Sequence, residues 1–106
     1  MSRVAVVCAD LLLGSNLQGS LRAAGHDATL AGDPEAAEGD VVVAVLDGRE
    51  ELLALGMRRS IAVYSHVDTA AKAAAEAAGF DLVVPRSRFM REGAALVERV
   101  VRRPSP

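Results

Sequence analysis

Five polar side chains stand directly behind apolar runs in this sequence. Asp10 follows the run 4–8 and Asp47 follows the run 41–46. Ser65 and His66 follow the run 61–64, and Arg86 follows 82–84 and Pro85. Two carboxylates, a hydroxyl, an imidazole and a guanidinium can together hold an ion, orient a polar ligand or move a proton. They can do so only if the chain folds with the ends of those runs along one edge.

The runs themselves say how that edge is made. None of the four alternates apolar with polar residues, and all are rich in Val, Ile and Leu. That pattern means burial on both faces, as in a parallel sheet covered by helices. A weaker segment, 27–30, alternates and suits an edge strand. Between the runs lie helical segments. Leu13, Leu17, Leu21 and Ala24 form one stripe, stopped by Gly25. Asp33 and Pro34 start a helix of about one turn, ended by Gly39. Residues 49–55 form a short helix with Gly56 as its stop. Asp68 caps an Ala-rich helix over Thr69–Ala78, closed by Gly79. Phe89, Gly93, Leu96, Val97 and Val100 mark the buried stripe of the last helix, with Ser87 as its cap.

Five β-α units in succession predict a three-layer α/β/α sandwich. Right-handed crossovers give a five-stranded parallel sheet, for which we expect the flavodoxin-like order 2-1-3-4-5. Ligands of such sheets sit at the carboxyl ends of the strands, near strand 1. That is the edge where Asp10, Asp47, Ser65, His66 and Arg86 would meet.

Composition narrows the function classes. The chain has 106 residues and a net charge of −2, which suits one domain over residues 1–103 with a frayed tail at 104–106. Its core must be Val, Leu and Ala, because Tyr64, Phe80 and Phe89 are the only aromatics. The one basic cluster, Arg99, Arg102 and Arg103, complements the dipole of a helix C-terminus, so no nucleic-acid surface is expected. A lone cysteine, Cys8, excludes an internal disulfide and reads as a small buried hydrophobe. With no apolar stretch near the ~20 residues that span a bilayer and no signal-peptide pattern, a cytoplasmic protein without membrane contact is expected.

Other motifs are weaker. Residues 14–20 echo a phosphate loop but lack its Lys and lie in the first helical stripe. No dinucleotide fingerprint, Ser-His-Asp or Cys-His spacing is present. Each edge residue also has a plain structural role open to it. Asp47 and Gly48 are a common turn pair, Asp10 can cap the first helix, and Ser65 with Asp68 is spaced as a helix-start box. His66 has no metal-ligand partner in sequence, and His26 reads as structural. Arg86 and Arg88 can pair with Asp47, Asp68 or a bound anion.

Nearly the whole chain resembles a response-regulator receiver domain. The likeness is carried by Asp47, Ser65 and Pro85 at the strand ends, Ala-Ala-Gly-His at 23–26 and Ala-Gly-Phe-Asp at 78–81. In that family two adjacent acids after strand 1 hold Mg²⁺, and an Asp ending strand 3 accepts the phosphoryl group. A Ser or Thr after strand 4 and a Lys before a Pro after strand 5 complete the site. The resemblance therefore implies Asp47 as the phosphoacceptor candidate, with Asp10 and Asp47 as candidate Mg²⁺ ligands. Mg²⁺ takes several oxygens, and the cation neutralises charge during phosphoryl transfer.

The departures are specific. The acid pair falls on Cys8 and Ala9, with Asp10 one position late. The Lys position is Val84, with Arg86 two residues on. The segment from Ser65 to Gly79 is one residue short, and the third helix is much shorter than the family's. Loss of one charge-stabilising group costs on the order of a hundredfold in rate. We therefore expect a non-enzymatic, receiver-like signalling module that binds a protein partner, or a second copy of itself, without phosphorylation or an obligatory cofactor. A degenerate phosphoacceptor using Asp47, and a small-ligand or nucleotide binder, are the competing expectations.

Overall fold

β-Branched residues extend because their restricted χ1 angles suit a pleated, buried surface. In the computed structural model, which describes residues 2–65 and 67–102, these runs form a single five-stranded sheet. Its strands are β1 (Arg3–Val7), β2 (Asp27–Ala31), β3 (Val41–Val45), β4 (Ser60–Tyr64) and β5 (Leu82–Pro85). Every pairing is parallel and the order is β2-β1-β3-β4-β5. Val4 lies level with Ala28 and Val41, and Val63 lies level with Val45 and Val84. The architecture is the expected three-layer flavodoxin-like sandwich. β3 and β4 are buried along their whole length, whereas β2 alternates toward solvent as an edge strand does.

Residues of opposite parity feed two cores. On one face Val4, Val6, Val43 and Ile61 pack with Leu17, Leu21, Phe89, Leu96 and Val97. The last five come from helices α1 (Leu11–Ala23) and α3 (Arg86–Val101). On the other face Ala5, Val7, Val42 and Ala44 pack with Leu52, Leu55, Ala75 and Phe80. That face is covered by two 3₁₀ segments, Pro34–Ala36 and Glu50–Met57, and by α2 (Thr69–Ala78).

The element ends explain themselves locally. α1 starts at Leu11, earlier than its apolar stripe, because the Asp10 carboxylate accepts the Leu12 and Leu13 N–H groups. It closes in a Schellman turn. Gly25, at φ 93°, donates to Arg22 C=O, and His26 N–H donates to Leu21 C=O. α2 begins on Asp68, whose carboxylate accepts from Ala71 N–H, and ends on Gly79 at φ 96°.

Three expectations are corrected. The helix expected over 49–55 is 3₁₀ and runs through Gly56 to Met57. Gly56 is there for close approach rather than as a stop, since a Cβ would lie 2.5 Å from Ala78 O. Asp33 forms no side-chain cap on the turn at Pro34. Ser87 does not cap the last helix, because α3 begins at Arg86 with Pro85 in the capping position. Pro85 completes β5 with extended backbone and hands the chain straight into the helix.

The expected frayed tail, 104–106, lies outside the described residues. Among the described residues no helix is long and apolar enough to cross a membrane.

Candidate functional site

The carboxyl edge of the sheet gathers the loops after β1, β3, β4 and β5. Behind β3 the chain reverses tightly. Arg49 N–H donates to Leu46 C=O at 2.6 Å, while Asp47 and Gly48 take φ values of 35° and 75°. Two left-handed residues inside such a bond make a type I′ turn, which Asp tolerates and Gly favours. The turn lifts the Asp47 side chain into solvent, where it is 56% exposed. Arg86, in the first turn of α3, reaches back so that its Nη2 lies 3.4 Å from Asp47 Oδ1. The Arg86–Asp47 ion pair anticipated from the sequence is formed. Exposed pairs of this kind contribute about 0–1 kcal/mol, so it sets charge more than stability.

The remaining edge residues divide between structural and open roles. Asp10 spends Oδ1 on two helix N–H groups, at 3.0 and 3.1 Å. Ser65 is half-buried just beyond β4, and its C=O accepts from Asp68 N–H at 2.8 Å. His66 lies outside the described residues. Cys8, where the resemblance places an acid, is buried, and its Sγ donates to Asp10 C=O at 3.3 Å. Burial raises the thiol pKa above its ordinary value. The negative charges of Asp10 and Asp47 push the same way, and the Arg86 cation opposes them. The hydrogen bond to Asp10 C=O also opposes burial, but burial prevails and Cys8 stays protonated at neutral pH.

The donor set does not fit Mg²⁺, a hard cation that needs oxygens in near-octahedral array. A neutral thiol replaces one acid, Asp10 is turned to its own helix, and a guanidinium stands on Asp47. Among the described residues no group of three or more His, Cys, Asp or Glu could hold a metal ion.

One participant was missed in the sequence. Arg49, in the turn behind Asp47, bonds Glu51 through Nε at 3.2 Å, and its Nη1 is enclosed without a hydrogen-bond partner. Arg86 Nε is enclosed and unpartnered in the same way. Arg49 also lines a cleft of about 320 Å³ between the Glu50–Met57 segment and α2. The available signal was an all-Ala helix surface opposite a helix too short to fill the space.

No family model matches the sequence, and no curated protein matches it. Solved structures do. A response regulator receiver protein from Burkholderia phymatum superposes with a TM-score of 0.78 at 18% identity, covering 100% of this chain and 99% of that one. A response regulator from Thermotoga maritima superposes with a TM-score of 0.75 at 15% identity, covering 93% and 96%. The fold is that of a receiver domain. At these identities the likeness is one of fold, and the receiver fold of this chain carries its own edge chemistry: a thiol, a capping acid and an Asp–Arg pair.

Proposed function

We propose that this chain is a receiver-fold signalling module that works through protein contact and without phosphorylation. The observation that carries this is the Arg86–Asp47 pair, which puts a fixed cation on the candidate phosphoacceptor. Two further features support it. Asp10 is held as a helix cap, and a neutral Cys8 stands where a metal-binding acid would be needed. In place of a charge that comes and goes, the edge has one that is permanent. The partner is a protein, and the α2–β5–α3 face, with its small Ala side chains and its arginines, also suits a second copy of the chain. The domain catalyses no reaction in this reading.

A second reading keeps Asp47 as a working phosphoacceptor, and its solvent exposure favours that reading. Amide NMR spectra with and without Mg²⁺ and beryllofluoride decide between them. The proposal expects a well-folded spectrum unchanged by the additions. Large Mg²⁺-dependent shifts at Asp47, Ser65 and β5, abolished in Asp47→Asn, would overturn it.

A further inference from the structure

The cleft beside Asp47 has a shape and a charge pattern of its own. The Glu50–Met57 segment and α2 both run away from the carboxyl edge. At their far ends they touch backbone to backbone, where Gly56 meets Ala78 C=O. At their near ends they splay, and the opening between them is the cleft of about 320 Å³. Leu46 and Leu53 line its sheet and 3₁₀ sides, and Ala71 and Ala74 line its α2 side. Small side chains on α2 leave the space unfilled, so the cavity is a direct product of an Ala-rich sequence.

Its polar groups come from both walls. Arg49 enters from the 3₁₀ side with its Nε paired to Glu51 at 3.2 Å, which leaves Nη1, enclosed and without an acceptor, as the donor the cleft can use. A buried donor without a partner is costly, and such a group marks where an acceptor is missing. Asp68 enters from the α2 side, half-buried, with Oδ1 used by Ala71 N–H. Glu50 adds a second carboxylate at the mouth. A simple anion would gain Arg49 but meet two acids, and a simple cation would meet the reverse. A molecule bearing both charges on a compact apolar body satisfies each wall and fills the Leu and Ala lining.

From this complementarity we infer that the cleft is a binding site for a small apolar zwitterion of the α-amino-acid class. Its carboxylate is read by Arg49, its ammonium by Asp68 and Glu50, and its side chain by Leu46, Leu53, Ala71 and Ala74. The site opens beside the Asp47–Gly48 turn, because Gly48 and Arg49 belong to both. A ligand there would act on the turn that holds Asp47 against Arg86. The inference does not depend on whether Asp47 is phosphorylated, and its test is separate from that one.

NMR titration with three probes of similar body tests it: L-leucine, isocaproate with only the anion, and isoamylamine with only the cation. L-leucine is expected to give saturable shifts at Leu46, Leu53, Ala71 and Ala74, binding at least about tenfold more tightly than either half-ligand. Arg49→Gln is expected to weaken leucine about tenfold and leave isoamylamine unchanged. Ala74→Leu, on the exposed side of a helix and compatible with the fold, fills the cleft and is expected to abolish the shifts. Equal binding of a half-ligand would overturn the assignment to a zwitterion. No saturable shift, or shifts that survive Ala74→Leu, would overturn the site.

Discussion

One face of the sheet is covered by two full helices, α1 and α3, of 13 and 16 residues. The other is covered by two 3₁₀ segments of 3 and 8 residues and by α2, ten residues of mostly alanine. The same strands serve both faces, so the contrast lies in the covering layers. On the first face, Leu17, Leu21, Phe89 and Leu96 reach the sheet from regular helices and fill the space. On the second, Leu52, Leu55 and Phe80 pack against the sheet while the top of the layer stays open. Both faces carry a buried core, and the second also leaves a cleft beside the candidate site.

Substitutions can break that contrast. Phe89→Ala empties the first core and should cost about 3–5 kcal/mol by urea unfolding. Leu52→Ala, beside the looser layer, should cost less, near the lower end of about 2–5 kcal/mol. Equal costs, despite the larger side chain lost at Phe89, would mean that the second layer is packed at least as tightly as the first. Glycines sharpen the point. Gly56→Ala drives a Cβ to 2.5 Å from Ala78 O, a backbone clash expected to cost about 1–3 kcal/mol and to alter the cleft. Gly19→Ala, on the exposed side of α1 with nothing within 4 Å, should stabilise by about 0.5–1 kcal/mol. If both glycine variants behaved the same, close approach at Gly56 would not be what holds the second layer.

The turn that closes α1 holds a misfit. His26 is buried at the Schellman position, where an apolar side chain is usual, and neither ring nitrogen has a hydrogen-bond partner. His26→Leu should therefore raise stability by about 1 kcal/mol, read as a higher denaturation midpoint. The smallest effect belongs to Cys8. Its thiol pKa is raised in the folded chain, so the native state keeps a proton that the unfolded chain releases. Its contribution is complete below the ordinary thiol pKa and is lost as pH rises through the native value. Stability measured against pH above about 9 should fall less steeply in Cys8→Ala than in the parent chain.

Most of the sheet was legible because Val41, Val42, Val43 and Val45 leave no polar face to misread. Asp68, Gly25 and Gly79 marked helix ends for local reasons that the fold leaves intact. The second layer was less legible. Gly56 looks like a stop in sequence, and only the neighbouring Ala78 carbonyl reveals it as a contact. The Arg86–Asp47 pair could be anticipated because topology places β3 and β5 loops on one edge. Arg49 could not, since its role depends on a cleft that exists only once a 3₁₀ segment and α2 have diverged. Whether Asp10 turned toward metal or toward its own helix was a matter of one residue of register.

At the opposite edge of the sheet, Arg59 Nη1 donates to both Val100 C=O and Val101 C=O, at 3.0 and 2.6 Å. α3 is thereby pinned by its last turn, while its first turn, at Arg86, has no side-chain cap. A rod fixed at one end can swing but not slide. A rearrangement of the Arg86 contact would then reach the surface of α3 as a tilt about Val100, largest at Arg86 itself, still felt at the exposed Met90 one turn on, and least at the pivot.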